Sequence, residues 1–185
     1  METPHLEPAE IVAGRLQLRP LLPTDADAVY AACQDPEIQR WTRIPVPYER
    51  HHAETFVADN SAEGWAAGAG RSYAVTDATT GELLGTVGLV EFDALERTAE
   101  VGYWVVPGAR GRGVAVQATL ALARWCFGAL GLGRLQWMAE VGNVASRRVA
   151  EKAGFTFEGV LRDRLRRPDG SRSDAWVASL LPGDL

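Results

Sequence analysis

The residues with the most specific chemistry are Arg110-Gly111-Arg112-Gly113-Val114-Ala115, a turn between an alternating apolar run and a helical one. Glycines in such a turn let the backbone reverse tightly and leave several N–H groups unshielded by a side chain. Successive N–H groups at the start of a helix, together with the positive end of its dipole, form an anion site. Arg110 and Arg112 add charge suited to phosphates. These residue types in this order point to a bound phosphate or pyrophosphate. A P-loop would use Gly108 and Gly113 at the correct gap, but Val114 stands where its lysine must be. A dinucleotide fingerprint would begin at Gly111 and Gly113, but its third glycine falls on Val116 and its strand comes late in the chain. The plain alternative is a glycine turn with solvated arginines, since short glycine motifs recur by chance.

The flanking residues narrow the choice. Arg110, Gly113 and Ala115 match the pattern Arg/Gln-x-x-Gly-x-Gly/Ala of the acetyl-CoA loop of GNAT acetyltransferases, a family the chain resembles from about Leu16 onward. The run from Asn143 to Phe155 resembles that family's second cofactor element. The Glu100–Val105 strand and the Trp176–Asp184 tail are similar to the branch that includes bacterial ribosomal-protein N-terminal acetyltransferases. The resemblance implies a GNAT-like α/β fold, with a mixed, mostly antiparallel sheet flanked by helices. It implies acetyl-CoA as cosubstrate and no metal. It also implies that the Val101–Val106 strand splays from the Arg134–Ala139 strand. Trp104 and Val105 then hold the acetyl-pantetheine arm through main chain, and Arg110, Gly111, Arg112, Gly113, Val114 and Ala115 hold the pyrophosphate. Asn143 matches an asparagine that hydrogen-bonds the arm, Ser146 a hydroxyl near the thioester sulfur, and Lys152 a residue reaching the nucleotide end.

The chemistry asks for few groups. A neutral amine attacks the thioester carbonyl, the oxyanion needs a donor, and the departing thiolate needs a proton. A backbone N–H near Val105 is the expected oxyanion donor. Ser146 is the candidate acid, its alternative being an ordinary helix-surface serine. Glu100 is the candidate base, acting directly or through water, because it shares a strand face with Gly102 and Trp104; its alternative is a solvated strand-edge glutamate. Glu91 on the preceding strand competes for that role and belongs to the acceptor side. Trp41 and Tyr48 are expected to line the acceptor pocket, with core anchoring as their alternative. His5, His51 and His52 lack metal-ligand spacing, and Trp125, Phe127 and Trp137 read as core.

Elements must position these groups. Leu16–Pro20 alternates as a strand, and Thr24 reads as the cap of a helix that Pro36 stops near Asp35. Trp41–Pro47 reads as loop, and a second helix begins near Tyr48 and fades before Gly64–Gly70. Ser72–Thr76, Leu83–Phe92 and Thr98–Val106 form an antiparallel meander. Val116, Leu120, Ala123, Phe127 and Leu130 recur at helical spacing, closed by Gly131 and Gly133. Strand Arg134–Ala139, helix Ala145–Ala153 and a hairpin around Pro168-Asp169-Gly170 complete the order β-α-α-β-β-β-α-β-α-β-β, a mixed sheet rather than a regular βαβ array.

The 185 residues suit one domain, 1–185, with residues 1–14 as an extended leading segment. A net charge of -5 argues against nonspecific DNA binding, which needs a basic face. Cys33 and Cys126 are too few and too distant for a disulfide framework and read as buried, reduced thiols. No run approaches the ~20 apolar residues of a membrane span, and the N-terminal residues carry acids rather than a secretory signal, so a soluble cytoplasmic protein without membrane partners is expected. Its acceptor is either a protein N-terminus, such as that of a ribosomal protein, or a small amine such as an amino acid, polyamine or aminoglycoside. A noncatalytic acyl-CoA sensor and a protein binding another nucleotide are the readings from other classes. Monomer and homodimer are both open.

Overall fold

The computed structural model describes residues 8–167 and 169–185. Within them one eight-stranded sheet runs in the order β1-β2-β3-β4-β5-β6-β8-β7. Its strands are β1 (Ile11–Ala13), β2 (Leu16–Arg19), β3 (Ser72–Asp77), β4 (Leu83–Asp93), β5 (Thr98–Val105), β6 (Arg134–Glu140), β7 (Thr156–Arg166) and β8 (Arg172–Leu180). Six α-helices connect them: α1 (Ala26–Ala32), α2 (Pro36–Trp41), α3 (Arg50–Asp59), α4 (Ala62–Ala67), α5 (Val114–Gly128) and α6 (Val144–Lys152). Among the described residues the one parallel pair is β5 with β6, because α5 crosses over between them, and a crossover returns the chain in the same direction. All other neighbouring strands run antiparallel.

The expected meander of β3, β4 and β5 is present. Its first turn is set by Asp77, whose carboxylate accepts from the N–H groups of Thr79 and Thr80, and by Gly81 at φ 75°. The first half of the chain differs from the sequence reading. Within the extended leading segment, Ile11–Ala13 forms a strand hairpinned onto β2; residues 1–7 lie outside the described residues. Thr24 caps nothing. Asp25 instead accepts from the Leu22 N–H and from Arg19. Pro36 starts a helix rather than ending one. Asp35 is its cap, accepting from the Ile38 N–H at 3.0 Å, and proline at the first helical position loses no hydrogen bond. A fourth short helix, capped by Ser61 and closed by Gly68 at φ 74°, occupies the stretch expected to fade.

Helices cover both faces of the sheet. On one face α5 buries Val114, Ala118, Leu122 and Cys126 against Val75, Val87, Leu135 and Trp137. On the other, α1 to α3 bury Val29, Ile38 and Val57 against Ala74, Leu83 and Trp104. Alternation along β6 sends Leu135, Trp137 and Ala139 inward and leaves Gln136, Met138 and Glu140 half-buried on the opposite face. Cys33 and Cys126 are buried free thiols, as expected. Trp137 is fully core, while Trp125 and Phe127 are partly buried against it.

Candidate active site

The parallel pairing of β5 with β6 spans only Thr98–Val101 and Arg134–Trp137. Beyond it β5 continues to Val105 beside β4, while β6 continues to Glu140 beside β8, so the sheet opens into a wedge. Antiparallel strands exchange hydrogen bonds at every second residue. Val106 donates to the Leu84 carbonyl at 2.9 Å, which fixes the phase. Val106, Trp104 and Gly102 therefore spend their backbone groups on β4, and those of Tyr103 and Val105 turn toward the wedge. This corrects the expectation for Trp104, whose main chain belongs to the ladder and whose indole packs under α1 to α3. Val105 keeps its N–H toward the gap. Its carbonyl accepts from Arg110 Nε at 3.2 Å.

The wedge leads to the glycine turn. Gly111 at φ 72° and Gly113 at φ 78° both need the left-handed region that glycine enters without strain. Gly113 is the N-cap of α5 and supplies no side-chain cap, so the first-turn N–H groups of this 15-residue helix remain available to an anion. Val114 is buried beneath the turn and anchors it, while Arg112 is exposed beside it. Arg110 departs from its expected place. Its Nη2 lies 2.7 Å from Asp35 Oδ1, so this guanidinium ties the turn to the start of α2. The same contact holds the Asp35 carboxyl below its ordinary range.

On the α5 face of the wedge stands a hydrogen-bonded cluster. Asn143 caps α6 by accepting from the Ser146 N–H at 3.1 Å, which leaves its amide nitrogen free to donate. Ser146 Oγ accepts from Trp137 Nε1 at 3.0 Å and lies 2.9 Å from the Tyr103 hydroxyl. Tyr103 also reaches the Ser146 carbonyl at 3.2 Å. Burial pushes the Tyr103 phenol up to about 12, so it stays protonated at neutral pH. Tyr103 and Trp137 are the site residues that sequence reasoning missed as such. The sequence carries only part of the signal, Tyr103 sharing a strand face with Val101; the meeting with Ser146 is set by the β5–β6 register. Lys152 is exposed at the far end of α6.

Glu100 lies on the opposite face. It is 6% exposed, so it is not a solvated edge residue. Gln136 Nε2 donates to it at 3.3 Å across the β5–β6 pair. Burial raises its carboxyl above the usual range, against the pull of Gln136, and Glu91 raises it further, while the charges of Arg43 and Arg164 lower it. Glu91 is its exposed partner on β4, placed there by a bulge between Leu89 and Glu91. Trp41 is half-buried beside Gly142, with Arg40 stacked on its ring. Tyr48 is corrected: at 5% exposed it belongs to the core with Cys33 and Ile38, and not to the surface of a pocket. Glu140 joins the two walls on this side, accepting from Arg40 at 3.1 Å and from Arg167 of the β7–β8 hairpin. Among the described residues no group of three His, Cys, Asp or Glu is placed to hold a metal, and no helix is long and apolar enough to cross a membrane.

A mixed sheet that opens beside an uncapped helix start is the arrangement that the resemblance to GNAT acetyltransferases implied, and the sequence comparison agrees. The model of the acetyltransferase (GNAT) domain matches residues 15–156, and the chain belongs to this family of N-acetyltransferases. YdaF of Bacillus subtilis (strain 168), named provisionally as a ribosomal N-acetyltransferase, is 40% identical over 101 residues, a stretch of 55% of each chain. The uncharacterized N-acetyltransferase YoaA of the same organism is 29% identical over 167 residues, covering 90% of this chain and 93% of its own. A structure from Vibrio cholerae, described provisionally as a ribosomal-protein-serine acetyltransferase, superimposes with a TM-score of 0.80 at 26% identity, covering 95% of this chain and 99% of the other.

Proposed function

We propose that this chain, as one cytoplasmic domain, transfers the acetyl group of acetyl-CoA to a primary amine, and that the amine is a protein N-terminus such as that of a ribosomal protein. The observation that carries the reading is the continuity of the wedge with the open N-terminus of α5 across Gly111 and Gly113. The names of the Bacillus and Vibrio relatives support the acceptor class.

The residues divide the work between the two faces of the sheet. On the α5 face, the N–H groups from Gly111 to Ala115 hold pyrophosphate, and Arg112 adds charge. The Asn143 amide and the wedge-facing backbone of Tyr103 and Val105 hold the pantetheine arm. The Val105 N–H donates to the oxyanion. Trp137 donates to Ser146 Oγ and the Tyr103 hydroxyl donates to the Ser146 carbonyl, so the serine O–H can turn from the tyrosine oxygen to the departing sulfur. On the other face Glu100 takes the proton of the attacking amine, directly or through water. Its raised pKa brings it nearer the working pH, as a base requires. Acid and base thus approach one thioester from opposite sides without meeting.

The test is release of free thiol from acetyl-CoA with a panel of N-terminal peptides and small amines. Release with peptides supports the reading. Release with small amines alone assigns the acceptor to that class. No release with any acceptor, together with retained acetyl-CoA binding, makes the chain a sensor.

A further inference from the structure

The acceptor side of the wedge carries a second feature that the transfer reaction does not require. The loop after α2 and the β7–β8 hairpin enclose a groove of about 290 Å³ lined by Arg43, Arg164, Leu165, Arg166 and Arg172. All four arginines are exposed, and none has a carboxylate partner among the described residues. Some arginines elsewhere, such as Arg19, Arg134 and Arg167, are paired with acids, and others, such as Arg112 and Arg148, stand singly without one among the described residues. The backbone is shaped to present the cluster. The register between β7 and β8 shifts between Leu161 and Leu165, and Asp163 takes φ 51° within that bulge. Asp174 accepts from the Asp163 N–H at 2.9 Å, and Arg172 Nε donates to the Asp163 carbonyl at 2.6 Å, which fixes the bulge. Four like charges around one small groove repel one another unless an anion sits between them.

The groove lies on the sheet face that carries the candidate base: Gln136, which donates to Glu100, and Glu140, which accepts from Arg167 of the hairpin, alternate onto that face of β6, and the charges of Arg43 and Arg164 act on Glu100. Arg167 and Arg40 converge on Glu140, which holds the hairpin and α2 together around this space. A groove of this size takes one or two carboxylate side chains and is too small for a nucleic-acid helix. The net charge of -5 argues against nonspecific binding of RNA. Guanidinium forks fit carboxylates with paired hydrogen bonds.

We infer that the Arg43–Arg164–Arg166–Arg172 groove selects acceptors that carry a carboxylate close to the amine to be acetylated. This rests on the transfer reading above: the amine is held at Glu100, and the acid a short distance along the acceptor lies among the arginines. The same chemistry is met by an acidic residue near a protein N-terminus or by a free amino dicarboxylic acid.

The experiment measures kcat/KM for thiol release with the tetrapeptide amide Ser-Ala-Ala-Ala bearing Glu or Gln in turn at its second, third and fourth positions. Glutamate and glutamine form a parallel pair. At one position the Glu peptide is expected to exceed its Gln counterpart about tenfold, mainly through KM, in proportion to a charge-assisted hydrogen bond. The preference should shrink in high salt. In the double variant Arg43→Gln/Arg164→Gln, whose exposed positions leave the core untouched, the Glu and Gln peptides should react alike. Preference in the peptide arm assigns the carboxylate to a chain terminus, and preference in the amino-acid arm assigns it to a small molecule. Equal rates for every Glu and Gln pair in the wild-type protein overturn the inference while leaving acetyl transfer intact. So does a preference that survives in the double variant. RNA binding that the double variant loses, with no change in acceptor preference, overturns it in favour of a nucleic-acid contact. Absence of thiol release with all acceptors rejects the underlying transfer reading, and the inference with it.

Discussion

Replacing Ser146 by alanine separates its chemical role from its structural one. The Oγ accepts from Trp137 Nε1 at 3.0 Å, and Trp137 is 2% exposed, so that nitrogen has no access to water. Tyr103 retains the Ser146 carbonyl at 3.2 Å and is not orphaned. Ser146→Ala therefore strands one buried donor, at a cost of about 1–3 kcal/mol. For a chain of this length each kcal/mol lowers Tm by roughly 2–4 °C. If the serine donates to the departing sulfur, kcat falls by about 10²–10⁴. Trp137→Phe removes the stranded N–H, so the double variant Trp137→Phe/Ser146→Ala should be more stable than the two separate losses add up to. Its kcat should not recover. Thermal unfolding by circular dichroism and thiol-release kinetics on the four proteins complete the cycle. A wild-type kcat in Ser146→Ala refutes the proton-donor role. A kcat that returns together with the recovered Tm shows that the serine acts through stability alone.

Glu100→Gln tests the base. Its carboxyl is raised by burial, so its contribution to stability is fully present below the ordinary value of about 4.3 and is lost as pH rises through the raised folded value. At neutral pH the glutamine variant should therefore melt at or above the wild-type temperature, with the advantage gone near pH 4, while kcat/KM falls about 10²-fold or more. A lower Tm at neutral pH, or an unchanged rate, rejects the assignment. Asp35→Asn keeps the cap of α2 but removes the ion pair to Arg110. It should cost about 0.2–1 kcal/mol and change acetyl-CoA affinity less than twofold. A tenfold gain in affinity, read by isothermal titration, would show that Arg110 belongs to the pyrophosphate after all.

What was legible in the sequence follows from the range of the forces involved. The turn at Gly111 and Gly113 is read locally, because positive φ and an open helix start are properties of consecutive residues. The meander and α5 follow from periodicity in the same way. Asp35-Pro36 was read in the wrong sense because proline both ends and begins helices, and only the cap hydrogen bond to Ile38 distinguishes the two. Trp104 was misplaced because the phase of the β4–β5 ladder is set by pairing, which a single strand does not reveal. Tyr103 and Trp137 meet Ser146 only when the parallel register of β5 and β6 brings them together. Arg110 likewise meets Asp35 across 75 residues of chain. The burial of Glu100 depends on the elements packed around it rather than on its neighbours in sequence.

The central claim is that the wedge takes acetyl-CoA with its pyrophosphate on the start of α5. Thermal melts with acetyl-CoA and with S-acetylpantetheine, which lacks the pyrophosphate, test it most directly. At 100 times its Kd a ligand stabilises the folded state by about 2.7 kcal/mol, or roughly 5–11 °C here. Acetyl-CoA is expected to produce that shift and S-acetylpantetheine at equal concentration a far smaller one. Gly113→Ala should reduce the acetyl-CoA shift: the added methyl meets nothing in the protein closer than Gln117 Nε2 at 3.7 Å, but φ 78° costs an alanine about 1–2 kcal/mol, a strain relieved only by moving the backbone away from the anion-binding geometry. No shift with acetyl-CoA, or equal shifts with the two thioesters, would contradict the account.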